Sequence, residues 1–154
     1  MQLAEKQRIR AMYGISEKQF KNYVKTAIRQ KGDKGDFLLG KLEGRLDNIV
    51  FRLGWAKSRK SARQLVNHGH ILINQRKVDI PSCQIKTGDQ IKIKEGSKKL
   101  GPFQELKTTL KKYKTLSWLN LDKENLIGQV VAQPKMEEVG KIGKIEMIIE
   151  FYSR

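Results

Sequence analysis

Residues 45–78 read RLDNIVFRLGWAKSRKSARQLVNHGHILINQRKV, and the fold turns on this stretch. Leu46, Ile49, Val50 and Leu53 recur at the i, i+3, i+4, i+7 spacing that lines one face of a helix. Gly54 ends that helix, because glycine takes the left-handed dihedrals a C-terminal cap needs. Ser58 is placed to cap a second helix, in which Ala62, Leu65 and Val66 repeat the apolar spacing until Gly69. The period then changes to two in HILIN, with Ile71 and Ile73 on one side, which predicts a strand.

The polar faces carry the functional signal. Between Arg45 and Val78 there are eight Lys/Arg and one acid, Asp47. Arg59 and Arg63 lie four apart on one helical face, with Lys60, Gln64 and Asn67 beside them. The spacing predicts that these residues and His68 share one exposed face that needs water or an external polyanion. A lone basic face is commonly just solvated. Here the missing acids, the interleaved amides and histidine, and the charge of the whole chain favour a polyanion.

Composition supports this independently. The chain has 154 residues, 32 Lys+Arg against 16 Asp+Glu, and a formal net charge of +16. Such an excess opposes compaction and points to nucleic acid or an anionic surface. Residues 1–118 hold 27 basic and 10 acidic side chains, net +17, whereas residues 119–154 hold 5 and 6, net −1. The binding surface therefore belongs to the first three quarters of the chain. With 38% apolar residues the chain can bury a core. No apolar run approaches the roughly 20 residues a membrane span needs, and nothing at Met1 resembles a secretory signal. A single cysteine, Cys83, excludes an internal disulfide and a cysteine-based zinc site.

Elsewhere, residues 2–12 are helix-compatible but sparsely apolar. Ser16 and Gln19 form a capping box, with Ile15 and Phe20 at the staple positions, ahead of the stripe Phe20, Tyr23, Val24, Ala27, Ile28. Phe37, Leu38, Leu39 and Leu42 begin a helix interrupted by Gly40 and Gly44, which places a domain joint near Gly44. Ile91 and Ile93 alternate with Lys92 and Lys94 as in a half-buried strand. Phe103, Leu106, Leu110 and Tyr113 predict one more helix, with Lys107, Lys111 and Lys112 opposite. NLIGQVV and MIIEFY read as strands.

Catalytic chemistry is not evident. No phosphate loop or dinucleotide fingerprint is present. His68 and His70 flank Gly69 without a second ligand pair, which favours capping and phosphate contact over metal or catalysis. No cofactor, metal site, catalytic residue, small-molecule substrate or membrane partner is expected.

RLDNIVFRLGWAKSRKSARQLVNHGHILIN resembles the RNA-binding module named after the fourth protein of the small ribosomal subunit. EKQRIRAMYGISEKQF before it and IIEFYSR at the end resemble the bacterial-type ribosomal protein itself. The likeness runs from about Glu5 to the C-terminus and is weakest at Lys98–Lys114 and Gln129–Lys144. Pro134 to Ile145 is more similar to plastid versions. Typical members carry a further basic segment before the part matching Glu5, sometimes with a cysteine cluster that can bind zinc. Where Gln75 stands the family usually has glycine; glutamine is awkward at positive φ, so a wider loop is expected there and the placement of Arg76 and Lys77 is open.

The resemblance implies an α+β fold of two lobes. One is mostly helical, residues 1–43 completed by 126–154. The other, residues 44–125 with its core module at about 45–108, packs short helices on a small antiparallel sheet and binds RNA. The expected RNA contacts are Arg45, Arg52, Lys57, Ser58, Arg59, Lys60, Arg63, Gln64, Asn67, His68, His70, Arg76 and Lys77, with Lys6, Arg8 and Arg10 ahead of the module. The implied role is structural: binding small-subunit ribosomal RNA, nucleating assembly, touching small-subunit protein five and supporting decoding accuracy, in the ribosome of a bacterial cytoplasm or plastid stroma. Two competing readings use the same residues. In one, the module is the targeting arm of an RNA-modifying or tRNA-charging enzyme, which needs a catalytic domain the flanks do not offer. In the other, the two short helices form a DNA-binding helix-turn-helix.

Overall fold

The computed structural model describes residues 2–139 and 145–153. In chain order the elements are α1 (Gln2–Tyr13), α2 (Glu17–Ile28), α3 (Lys34–Glu43), α4 (Leu46–Arg52), α5 (Arg59–Asn67), β1 (Ile71–Ile73), β2 (Arg76–Lys77) and β3 (Gln90–Ile93). After a 3-10 turn at Glu95–Ser97 come α6 (Gly101–Gln104), α7 (Leu106–Leu110), β4 (Leu119–Asp122), β5 (Ile127–Val130), α8 (Met136–Val139) and α9 (Ile145–Ser153). The chain divides into two compact units, Met1–Glu43 with Pro134–Arg154, and Gly44–Gln133.

The first unit is helical. Ser16 Oγ accepts from Gln19 N at 3.1 Å and starts α2, with the staple residues Ile15 and Phe20 both buried. The stripe Phe20, Tyr23, Val24, Ala27 meets Leu38, Leu39 and Leu42 of α3 and Ile145 and Ile148 of α9 in one core. Burying each large apolar side chain contributes roughly 1.5–3 kcal/mol. Helix α3 runs through Gly40 without a break. At its end Glu43 is fully buried and accepts from Tyr13 Oη at 2.5 Å.

MIIEFY, expected as a strand, lies instead within helix α9. Its β-branched residues favour extended chain, but Ile145, Ile148, Ile149 and Tyr152 also fit the helical spacing, and all four pack on this core. Among the described residues this unit contains no strand to pair with, so a helix is the form that satisfies the backbone internally.

In the second unit the strands form one antiparallel sheet in the order β2-β1-β3-β5-β4. Ile71 faces Ile93 and Ile73 faces Ile91 across β1 and β3, the arrangement their period-two spacing requires. Helices α4 and α5 bring Leu46, Ile49, Val50, Leu53, Ala62, Leu65 and Val66 into the same core. Strand β5 pairs with β3 on one side and β4 on the other, so residues 126–133 belong here rather than to the helical lobe. A strand inside a sheet has its backbone paired along both edges, which the helical unit could not supply.

Three local features explain the shape of the module. Helices α4 and α5 both end in the same capping pattern. Gly54 N bonds Phe51 O and Trp55 N bonds Val50 O; Gly69 N bonds Val66 O and His70 N bonds Leu65 O, with φ of +78° and +80° at the glycines. The expected 103–113 helix is two shorter ones, α6 and α7, broken at Glu105, although Phe103, Leu106 and Leu110 are buried as the spacing predicts. The hairpin after β1 is tight after all. Asn74 and Gln75 take φ of 49° and 73°, and β2 follows directly with Ile73 opposite Arg76. Asn74 makes this turn tolerable by accepting from Gln90 N and donating to Asp89 Oδ1, each at 2.9 Å.

Candidate nucleic-acid interface

Helix α5 is built by Ser58, whose Oγ accepts from Ser61 N at 3.0 Å. Its inner face is Ala62, Leu65 and Val66, all buried. Helical geometry then turns Lys60, Gln64 and Asn67 directly outward, and these are exposed, as are Lys57 and Ser58 before the helix and His68 after it. Among the described residues, the side chains of Lys57, Lys60, Gln64 and Asn67 show no hydrogen bond or ion pair.

Arg59 and Arg63 flank this ridge on the side of α4 and are only half-exposed, a departure from the single exposed face expected of them. Arg59 Nε donates to Asn48 Oδ1 at 2.9 Å, and its guanidinium sits 4.6 Å from the centroid of the Phe51 ring. Arg63 Nε lies 3.4 Å from Asp47 Oδ2. The reason is position: residues 59 and 63 border the apolar stripe, so their stems lie on α4 while their heads reach its polar edge. Arg52 is half-buried, with its guanidinium 5.8 Å from the same Phe51 ring.

Arg45 does not reach the surface. It bridges to Gln84 through the backbone, and its guanidinium forks onto Asp47, Nε and Nη2 each 3.1 Å from a carboxylate oxygen. The one acid of residues 45–78 is thus consumed internally. Around it the first-turn N–H groups of α4, which have no partner within the helix, are satisfied by loop carbonyls, Leu46 N on Cys83 O at 2.9 Å and Asp47 N on Pro81 O at 3.1 Å.

At the far end of α5 the Lys77 stem covers the Gly69 backbone, so a β-carbon there would fall 2.5 Å from Lys77 Cε. Arg76 and Lys77 are both exposed on β2. His70 turns inward: its Nδ1 is 2.8 Å from Ser97 Oγ and its ring stands edge-on to Phe103 at 5.4 Å. Burial lowers its pKa, helped by the charges of His68 and Lys94. Half-buried against Ser97 and Phe103, His70 packs into the fold, whereas His68 is exposed.

Lys6, Arg8 and Arg10 lie in the other unit. Lys6 is buried, bonded to Glu17 Oε1 at 2.6 Å, which raises its pKa and lowers that of Glu17. Arg8 is exposed near Glu5, and Arg10 donates to Gln7 Oε1 and Ile15 O. The apolar spacing of α4 does not point to Phe51 as the support for the Arg52 and Arg59 guanidiniums; the available signal is that it is an aromatic lying off the apolar stripe of its helix.

The sequence profile of the S4 domain matches residues 44–91, and that of the ribosomal protein S4/S9 N-terminal domain matches residues 1–43. The chain is 49% identical to the small ribosomal subunit protein uS4 of Syntrophomonas wolfei, over 100% of this chain and 74% of the relative. The chain belongs to the uS4 family of small ribosomal subunit proteins. The uS4 of Persephonella marina is 48% identical over 99% of this chain and 75% of its own length. That of Thermus thermophilus is 45% identical over 100% and 74%. Membership sets the two units beside the two profiles: the boundary between the matched segments falls between Glu43 and Gly44, where the compact units divide.

Proposed function

We propose that this uS4-family chain is a non-enzymatic constituent of the small ribosomal subunit whose α5 ridge docks on the backbone of folded ribosomal RNA. The observation that carries the reading is the outward row Lys57, Lys60, Gln64 and Asn67, unpaired among the described residues, on a unit whose residues 44–133 hold 18 basic and 7 acidic side chains. Lysines release counterions from phosphates and supply affinity without sequence choice. Shape supplies the choice, because the deep major groove of A-form RNA is closed to side chains. Arg59 and Arg63, oriented by Asn48, Phe51 and Asp47, act as pre-set forks at the border of the ridge. Contact with other small-subunit proteins, protein five among them, and roles in assembly and decoding accuracy rest on family membership.

The test is a competition across a salt series between a folded small-subunit RNA junction, an unstructured strand of equal length and duplex DNA. The folded junction should win, and its advantage should persist at salt that abolishes the other two. Equal affinity for all three would reduce the chain to a generic polycation. Preference for duplex DNA would favour the helix-turn-helix reading.

A further inference from the structure

Beside the ridge lies a groove of about 360 Å³ between the α4–α5 connection and the α6–α7 pair. Its floor is apolar, from the buried Trp55, Leu65 and Leu106, and its exposed rim carries Pro102 with the polar Lys57, Ser61, Gln64, Glu105 and Thr109. The volume falls in the range of pockets that hold a small organic group, roughly 300–1,000 Å³. Two of its rim residues, Lys57 and Gln64, are also ridge residues, so whatever lies on the ridge passes the mouth of the groove.

The rim chemistry selects the occupant. Glu105 is exposed, and its side chain makes no hydrogen bond or ion pair among the described residues, although Lys57 lines the same groove. A carboxylate there repels phosphate but accepts from N–H groups. The Thr109 hydroxyl donates to Glu105 O at 2.9 Å, which leaves its oxygen as an acceptor. Gln64 offers both donor and acceptor. An apolar floor for a flat face, with acceptors and donors around it and a lysine at the mouth, suits a nucleobase whose phosphate remains on the ridge. Unstacked bases held this way are the usual carriers of sequence choice in RNA recognition.

We propose that this groove receives one unstacked base of the bound RNA, with Glu105 accepting from its amino group. Adenine, cytosine and guanine carry the amino donor that a carboxylate reads, whereas uracil offers only its ring N3–H. The inference rests on the RNA-binding reading above and adds a base-reading site to it.

The test uses the full chain and the folded junction RNA. Glu105→Gln removes a negative charge from a polycation's binding face. If only phosphate passes the groove, E105Q should bind more tightly. If a base is read there, losing the charged acceptor should weaken binding about tenfold. Ser61→Trp, at an exposed rim position, fills the groove; it should weaken binding to the folded junction by a similar factor and leave the unstructured strand unaffected. Circular dichroism and thermal unfolding confirm that both variants fold. Tighter binding by E105Q, or no effect of S61W on the junction, overturns the base site. Wild-type protein that fails to prefer the junction overturns the RNA reading instead, so the two failures are distinguishable.

Discussion

The Arg45 guanidinium forks onto the Asp47 carboxylate, Nε to Oδ1 and Nη2 to Oδ2 both at 3.1 Å, with side chains 6% and 1% exposed. The same carboxylate accepts from Asn48 N at 2.7 Å and faces Arg63. One acid thus holds the N-terminus of α4, neutralises a buried cation and orients a second one at the surface.

Asp47→Ala should therefore cost about 3–5 kcal/mol, since removing one partner of a buried pair strands the other. Urea unfolding at pH 7 measures it. Arg63→Ala, which removes the half-exposed partner, should cost about 1 kcal/mol or less. Similar small losses for both variants would show that Arg45 reaches water in solution.

The two halves of the basic surface should separate experimentally. Lys57→Ala with Lys60→Ala should reduce the slope of log affinity against log salt by about 1.4–1.8, two phosphate contacts, with thermal unfolding unchanged. Arg59→Ala with Arg63→Ala should weaken binding and also lower the unfolding midpoint, because these guanidiniums bond Asn48 and Asp47. An unchanged midpoint in the arginine pair would mean the α4 contacts contribute nothing to the fold.

Gln75→Gly should stabilise the protein. Glutamine at φ 73° carries the left-handed penalty of about 1–2 kcal/mol. Glycine removes it but adds roughly 0.5–1 kcal/mol of unfolded-state entropy, so a net gain of about 0.5–1 kcal/mol is expected by the same principles. A rise in the thermal midpoint is the readout; a fall would show that the Gln75 side chain contributes contacts that outweigh the strain.

Stability should decline on acidification through the histidine range, with His70 as one source. Burial first, then the positive charges of His68 and Lys94, lowers its pKa in the folded state below the ordinary value. The unfolded chain therefore binds the proton more readily, and the contribution is complete above about pH 6.5 and lost as pH falls through the lower folded value. His70→Gln should flatten the stability profile in that window and leave the profile above neutrality unaltered. Denaturant titrations at a series of pH values would detect it, and an unchanged slope would assign the pH dependence elsewhere.

Local patterns carried much of this molecule. The spacing of Leu46, Ile49, Val50 and Leu53, the caps at Ser16 and Ser58, the stops at Gly54 and Gly69, and the alternation of Ile71–Ile73 and Ile91–Ile93 are near-neighbour effects, written within one or two turns of chain. So is the exposed face of α5, because a helix that buries Ala62, Leu65 and Val66 must present Lys60, Gln64 and Asn67. Tertiary structure decided the rest. Whether MIIEFY becomes helix and NLIGQVV strand depends on which backbone partners each meets, and those lie in distant parts of the chain. The fate of the cations on α5 was equally non-local: Arg63 meets Asp47, 16 positions away, whereas Lys60 on the same helix meets no acid among the described residues. A charge has no intrinsic direction. Only the folded packing of α4, α5 and the Pro81–Cys83 loop determines which arginines are spent inside and which basic groups remain for RNA.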